Sequence, residues 1–583
     1  MIDTTIEMDQ DASAAADLFA QVLGLPAVKY LVDLAGNQYF VKFEVGHRAP
    51  IYEHALRETQ KRLPEENAFK GLIGLHVTTP VRFPDSMEAD VLRGVLARST
   101  RTVSGESSPH VFPAQYVPFQ HGEDTQAIQP ATHLIVGRRG VGKSTLILRS
   151  KELLQKTQAI PVILDMQPYA HRKDDAVLID VLADLAKAIA SAALRRDARC
   201  SDACNKLEQF AEDVLSGAIQ PERASAALKR AVLKLTNEAV ADLFVFLDDY
   251  HLLDLEQQPR VAEAIHGGLK GARGWLKVAG LRSLLKVYDP ASRKGLQTPG
   301  DAQIISLDLT LVDPEAAENH LRSILAGFLA LVGIDRMSVA IAEAAFHRLV
   351  WANAGVPRDF LQMFSKSIEH ASRARRQRVE LTDANLAIGE FGQQKMLDLE
   401  QDAGNEESEL KKTLAAIEQH CLEKKKVNAF LIRSQATNEY RAVQTLSDLR
   451  LLHLLHQTIT PHKAGERYEA YMLDYSLFTG FRRRPNIKQT MPAHGKQFRA
   501  SELRKIPILP QGFLHILDPL ESSAKSHMRA VPAGKKATGA TPAVLVPLKK
   551  RTSTSSAHKR ADITRKRRLA ARRKARKKAG RAS

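Results

Sequence analysis

The chain has 583 residues, 44% apolar and 26% charged, enough for the cores of about three to five ordinary soluble domains. Its three cysteines, Cys200, Cys204 and Cys421, exclude a disulfide-stapled scaffold and a four-thiolate zinc site and point to a reducing, cytoplasmic setting. The formal charge of +18 is unevenly placed: residues 549–583 carry sixteen Lys and Arg against one acid, Asp562, so fifteen charges sit there and three remain for the first 548 residues. The acidic opening lacks the basic-then-apolar order of a signal peptide. The longest apolar-looking run, Ser323–Ile334, falls short of the ~20 residues a bilayer span needs, so no membrane partner is expected.

Residues 1–125 read as an α+β module. Tyr39, Val41, Phe43 and Val45 alternate with Phe40, Lys42 and Glu44 after a Gly36-Asn37 turn, which predicts a strand; Glu53–Arg62 has helical spacing, and Leu72–Thr78 predicts another strand. Nothing in this module has catalytic spacing, so its expected role is to dock a protein partner.

Thr132–Leu148, THLIVGRRGVGKSTLIL, carries the chemistry. An apolar strand enters a glycine-rich turn with Gly137, Gly142, Lys143 and Ser144 in the spacing G-x-x-x-x-G-K-[ST], and helical periodicity follows. Such a turn points consecutive backbone amides into one concavity, and the helix beginning near Lys143 adds its positive end. Gly137, Arg138, Arg139, Gly140, Val141, Gly142, Lys143, Ser144 and Thr145 are therefore expected to hold the phosphates of ATP. Lys143 would reach the β- and γ-phosphates, and the Ser144 hydroxyl would face Mg²⁺.

From there to about Ile305, strands and helices alternate, the pattern of a parallel sheet with helices on its faces. Ile160–Leu164 predicts a buried strand and Ala176–Leu194 a long amphipathic helix, with two further helical stretches reaching about Glu238. Leu243–Leu247 predicts another buried strand, ending in Asp248 and Asp249. Magnesium on a nucleotide needs a carboxylate at the carboxyl end of a strand beside the phosphate loop. Asp248 is expected on the metal side, and Asp249 is placed to orient or deprotonate water. Trp275–Leu281 predicts one more strand, ending in Arg282-Ser283.

Beyond the sheet, Asp313-Pro314-Glu315 opens a helix reaching about Val332, Ala354-Gly355-Val356-Pro357-Arg358 opens another, and Val379–Asn385 opens a third with Thr382 as its expected N-cap. Together with the phosphate loop and the Asp248-Asp249 strand, this pattern resembles the AAA+ ATPases, in particular the origin-recognition-complex (ORC) family. The resemblance implies an ATPase core over 126–305, a helical lid over 306–402, a γ-phosphate sensor at Arg282 or Ser283, and a lid arginine at Arg358 that reaches the γ-phosphate. It also implies possible completion by a neighbouring subunit in a homo-oligomer, for which the sequence identifies no residue. The acidic pair in Leu247-Asp248-Asp249-Tyr250-His251 is similar as well to that of STAND signalling ATPases, which makes a protein-directed switch the alternative.

Residues 403–480 suit a winged helix: helix Lys411–Leu422, strand Val427–Ile432, a recognition helix Glu439–Leu446, and strands Leu451–Leu455 and Tyr468–Leu473 around a wing at His462–Arg467. DNA contact and protein contact both remain open for it. His453, His456 and His462 lack the partners of a metal set. Residues 481–583 read as a polar linker and a disordered basic tail, whose density of Lys and Arg predicts salt-sensitive, sequence-independent binding to nucleic acid. The expectation is an ATP- and Mg²⁺-dependent switch acting on nucleic acid, DNA above RNA.

Overall fold

The computed structural model describes residues 2–36, 38–78, 82–99, 116–402, 407–435, 437–460, 466–479, 487 and 500–514. Arg482–Arg484, His462–Gly465 of the expected wing and the whole basic segment 549–583 lie outside them.

At the N-terminus, α1 (Ile2–Leu23), β1 (Tyr30–Ala35), β2 (Gln38–Val45), α2 (Pro50–Arg62), β3 (Ile73–Val77) and α3 (Met87–Ser99) make the expected α+β module. Its sheet runs β1-β2-β3, with β1 antiparallel and β3 parallel to β2. Alternation along β2 turns Val41, Phe43 and Val45 onto the helices, where Phe43 stacks on Phe19 at 4.2 Å. The helices α1 and α3 and the strand β1 were not foreseen.

After the short α4 (Glu123–Ala127) come β4 (His133–Val136), α5 (Lys143–Gln155), β5 (Ile160–Asp165), α6 (Ala176–Arg196), α7 (Ser201–Leu215), α8 (Pro221–Ala239), β6 (Leu243–Asp248), α9 (Gln257–Leu269) and β7 (Gly274–Gly280). A two-residue hairpin, β8 (Tyr288–Asp289) and β9 (Lys294–Gly295), leads to β10 (Gln303–Ser306). The main sheet is parallel throughout, in the order β10-β4-β7-β6-β5. Both faces are covered by helices, so β4 and β6 are buried along their whole length, as their unbroken apolar runs require. On α6, Val177, Val181, Leu185 and Ile189 recur at helical spacing and are buried. Cys200 and Cys204 are buried in the same core.

The helices expected to form a lid follow: α10 (Pro314–Leu331), α11 (Met337–Ala340), α12 (Glu343–Asn353), α13 (Pro357–Arg373) and α14 (Leu381–Asp402). Asp313 caps α10 as expected, accepting from the Ala316 amide at 3.1 Å. Thr382 does not cap α14, which starts one residue earlier; the Asp383 carboxylate instead accepts the Glu380 amide at 2.9 Å. The C-terminal part is α15 (Glu407–Glu418), β11 (Ala429–Arg433), α16 (Asn438–Asp448), β12 (Leu452–Ile459) and β13 (Tyr468–Leu473), with α17 (Ala500–Leu503) beyond it. Its antiparallel sheet has the order β11-β13-β12 and only α16 lies between β11 and β12, so among the described residues the middle helix of a helix-turn-helix is missing.

The helix expected over Glu439–Leu446 is present as α16 and packs one face inward. On α16 only Asn438 and Arg441 are exposed; Ala442, Val443, Thr445, Leu446 and Ser447 are buried against α15, β12 and the turn after β7. Its outward stripe is short, with Asn438 and Arg441 exposed and Gln444 half-buried.

All described residues fall within one compact unit, Met1–Asp518. Phe43 and Tyr52 of the N-terminal module, Phe346, Phe360 and Phe364 of the lid, and Phe430, Leu452 and Met472 of the C-terminal sheet share one buried cluster. A charged set is buried where lid and C-terminal sheet meet: Arg450 pairs with Asp359, and Lys395 pairs with Asp474, which also receives His453 at 2.7 Å. Burial alone would raise the Asp474 carboxyl, but the Lys395 ammonium and His453 outweigh it and hold it below the usual carboxylate range. Its folded-state value is depressed, so its contribution to stability is full above the unfolded value of about 3.9 and is lost as pH falls further. The gap in Tm between the natural chain and Asp474→Asn is therefore expected to be widest near neutral pH and to close below about pH 4; thermal melts from pH 7 to 2 measure it.

Candidate functional site

The carboxyl ends of β4, β5 and β6 meet the first turn of α13 around a cavity of ≈ 670 Å³, within the ~300–1,000 Å³ range of small-ligand sites. Its floor is the turn between β4 and α5. Gly140 and Gly142 have φ of +81° and +107°, a backbone that side-chain-bearing residues rarely adopt. A Cβ at Gly140 would also stand 2.9 Å from the Arg358 Cβ, so glycine there lets lid and loop touch. Arg139, Gly140, Val141, Gly142, Lys143, Ser144 and Thr145 line the cavity; Gly137 and Arg138 do not.

Lys143 is buried at the start of α5, and its ammonium donates to the Gly137 carbonyl at 2.8 Å and the Arg138 carbonyl at 3.2 Å. Burial lowers its pKa, opposed by Asp249, Asp308, Asp248 and Asp448 nearby. Asp248 lies behind the loop at 4% exposure, beside the Ser144 hydroxyl. Burial raises its carboxyl, against the pull of Ser144 and Lys143. The two residues paired in the sequence reading as metal ligands are thus neighbours. Asp249 lines the cavity in a left-handed conformation, φ +52°, one of the few residue types that tolerates it, and its amide donates to Asp248 Oδ1 at 3.0 Å. His251, also lining the cavity, is pushed down to about 3 by burial and by Lys143 and Arg139, so it is neutral.

Arg358 stands in the first turn of α13 facing the cavity, its amide donating to the Gly140 carbonyl at 3.3 Å. Arg282 is exposed and neither it nor Ser283 lines the cavity; the Ser283 amide donates instead to Asp448 Oδ2 at 2.8 Å. Arg138 turns away too. Its guanidinium reaches Asp308 at 3.2 Å and the carbonyls of Leu309 and Ala354 at 2.8 and 2.9 Å, binding the loop to the lid.

Two features were not legible in sequence. Asp165 ends β5 directly beside Asp248 in the sheet register, adding a third carboxylate at the strand tips; its strand was predicted one residue short. Part of the cavity lining is aromatic and apolar: Phe119, against Gly142 of the loop, stacks on His320 at 5.5 Å, and Tyr116, Ile324, Phe328 and Leu361 also line the cavity. Phe119 and His320 are two hundred residues apart and share no motif, so only the fold joins them. Aromatic side chains of this kind suit a planar group, and the bare loop amides suit an anion.

No family model and no curated protein matches the chain. Among solved structures it is similar to Cdc6p of Pyrobaculum aerophilum (14% identity over 62% of this chain and 93% of that one, TM-score 0.30). It is similar also to Orc1 of Aeropyrum pernix in complex with DNA (14%, 66% and 93%, TM-score 0.32) and to a Walker-type ATPase of Pyrococcus abyssi (15%, 62% and 95%, TM-score 0.36).

Because Arg138 crosses from loop to lid, Arg138→Met strands Asp308 and two carbonyls and is expected to cost about 2–4 kcal/mol of stability in urea unfolding. Arg139→Ala should stay within about 1 kcal/mol. A parallel five-stranded sheet, a glycine-rich loop between β4 and α5 and a set of helices packed over them give this chain a P-loop-like α/β fold.

Proposed function

We propose that the chain binds ATP with Mg²⁺ between sheet and lid, hydrolyses it slowly, and uses the nucleotide state as a switch while held on nucleic acid, DNA above RNA. What carries this reading is the convergence of Lys143, Ser144, Asp249 and Arg358 on one cavity from three separate elements, with Asp248 buried beside Ser144. The residues fit the ligand. Glycines at 140 and 142 leave the main chain bare toward the cavity, and Ser144 and Asp248 offer hard oxygen donors of the kind magnesium takes. Bound there, the ion would offset phosphate charge and orient the phosphates.

Lys143 would exchange its two loop carbonyls for phosphate oxygens, and Arg358 would meet the third phosphate from the lid. Asp249 is positioned to hold water at the cavity wall. Aspartate reaches less far than glutamate from the same backbone, which accounts for slow turnover. Buried free thiols at 200, 204 and 421 support a reducing, cytoplasmic setting. Lys143→Ala is expected to weaken ATP binding about 100-fold, the worth of ~2.7 kcal/mol; undiminished affinity in calorimetry overturns the assignment. Asp249→Asn should keep affinity within about threefold and lower turnover ~10²–10⁴-fold.

Nucleic-acid contact is assigned to residues 549–583, with their fifteen net positive charges. Removing them should spare ATP binding while flattening the dependence of DNA affinity on salt, read as the slope of log K against log salt concentration.

A second reading, a STAND-like switch directed at proteins, is favoured by one observation. The edge strand β1 leaves Tyr30, Val32 and Leu34 exposed beside Tyr39 in the N-terminal module. Turnover measured with and without DNA separates the two: stimulation supports the first reading, and indifference with tightly retained nucleotide supports the second. A homo-oligomer belongs to the first reading as well, and mass measured in each nucleotide state tests it.

A further inference from the structure

Asp448 and Arg450, two residues apart in the C-terminal part, touch three of the elements that surround the cavity. The Asp448 carbonyl accepts the Arg139 amide of the phosphate loop at 3.2 Å, and its Oδ2 accepts the Ser283 amide just past β7 at 2.8 Å. Arg450, 1% exposed, pairs with Asp359, the residue after Arg358 in the first turn of α13. Consecutive helical residues diverge by about 100°, so one turn sends Arg358 to the cavity and Asp359 to the C-terminal part. Lys395 on α14 stands 3.6 Å from Asp359 Oδ2, donates to the Arg450 carbonyl at 3.3 Å and pairs with Asp474. Two cations and two anions thus balance where solvent does not reach.

Cohesion does not require such a set, since apolar side chains of similar volume are as stabilising or more so. A buried ion pair differs from an apolar contact in fixing one geometry: sliding by an ångström or two leaves a charge uncompensated. Pro357 at the first position of α13, and Gly355 packed with no room for a Cβ, which would lie 2.3 Å from the Leu309 carbonyl, pin the same turn from the lid side.

We propose that the turn Asp448–Arg450 is a positioning element of the nucleotide site: through Asp359 it fixes where Arg358 stands, and through the Arg139 and Ser283 amides it follows the phosphate loop. The C-terminal sheet thereby receives the presence or absence of a third phosphate. This rests on the reading of Arg358 as a γ-phosphate contact, and the experiment separates the two.

Affinities of the full chain for a non-hydrolysable ATP analogue and for ADP are measured by calorimetry in the natural protein, Arg358→Ala, Arg450→Met and the double variant. Arg450→Met should keep ADP affinity within about twofold and weaken the triphosphate about tenfold or more, matching Arg358→Ala, with no further loss in the double variant. A lowered Tm with an unchanged triphosphate-to-diphosphate ratio, or losses that add in the double variant, overturns the proposal and leaves the Arg358 reading standing. A natural chain that binds both nucleotides alike, or an Arg358→Ala variant that keeps the preference, overturns both. Should Arg450→Met fail to fold, hydrogen exchange of the unmodified chain decides: the triphosphate analogue, unlike ADP, should slow exchange in α13 and β11–β13 together, and unaltered exchange in β11–β13 overturns the proposal.

Discussion

The turn from Gly137 to Gly142 cannot hold its shape by itself. It curls its amides toward one side, has no strand to pair with, and carries two residues in the left-handed region. It is fixed from outside by single contacts, each to a different part of the chain. The Gly137 and Arg138 carbonyls share the Lys143 ammonium, the Arg138 side chain bridges to Asp308 and the lid, the Arg139 amide meets Asp448, and the Gly140 carbonyl takes the Arg358 amide. A loop held in this way is a property of sheet, helices α10–α14 and C-terminal part together. Loosening any one of them takes a partner from this backbone.

What the sequence made legible follows from local physics. The phosphate loop needs glycine where φ is positive, β4 and β6 need unbroken apolar runs because both faces of their sheet are covered, and α10 announces itself by Asp313 and Pro314 at its start. Each signal is contained within a few residues. The hidden features are those that only distance in the chain creates. Phe119 meets His320, and Lys277 in the middle of β7 is tolerated because it bonds the Gln129 and Ala131 carbonyls and His133, all at 2.7 Å. No spacing rule joins such partners. α1 and β10 were missed for a different reason: one is rich in alanine and acid rather than large apolar residues, the other only four residues long.

The packing of α16 ties the C-terminal part to the main sheet. Its sheet order and strand pairing agree with a winged-helix-like unit, yet the helix that sequence would send into a groove spends its apolar face on α15 and β12 and its end on the turn after β7. Amphipathic spacing fixes that one face is buried, not which partner buries it. The neutral His453 shows the same ambiguity at the level of one residue: in sequence it stood near two other histidines, and in the fold it serves Asp474.

A nearly neutral body bears on where nucleic acid would be held. With three of eighteen net charges on the first 548 residues, long-range attraction to a polyanion comes almost entirely from residues 549–583. Affinity supplied that way is insensitive to sequence and to the conformation of the body, because counterion release depends on the number of phosphates neutralised and not on a fitted surface. Any nucleotide dependence of the proposed switch must then lie in what the body does once held in place, which returns the weight of the mechanism to the few buried contacts that join Arg358, Asp359 and Arg450.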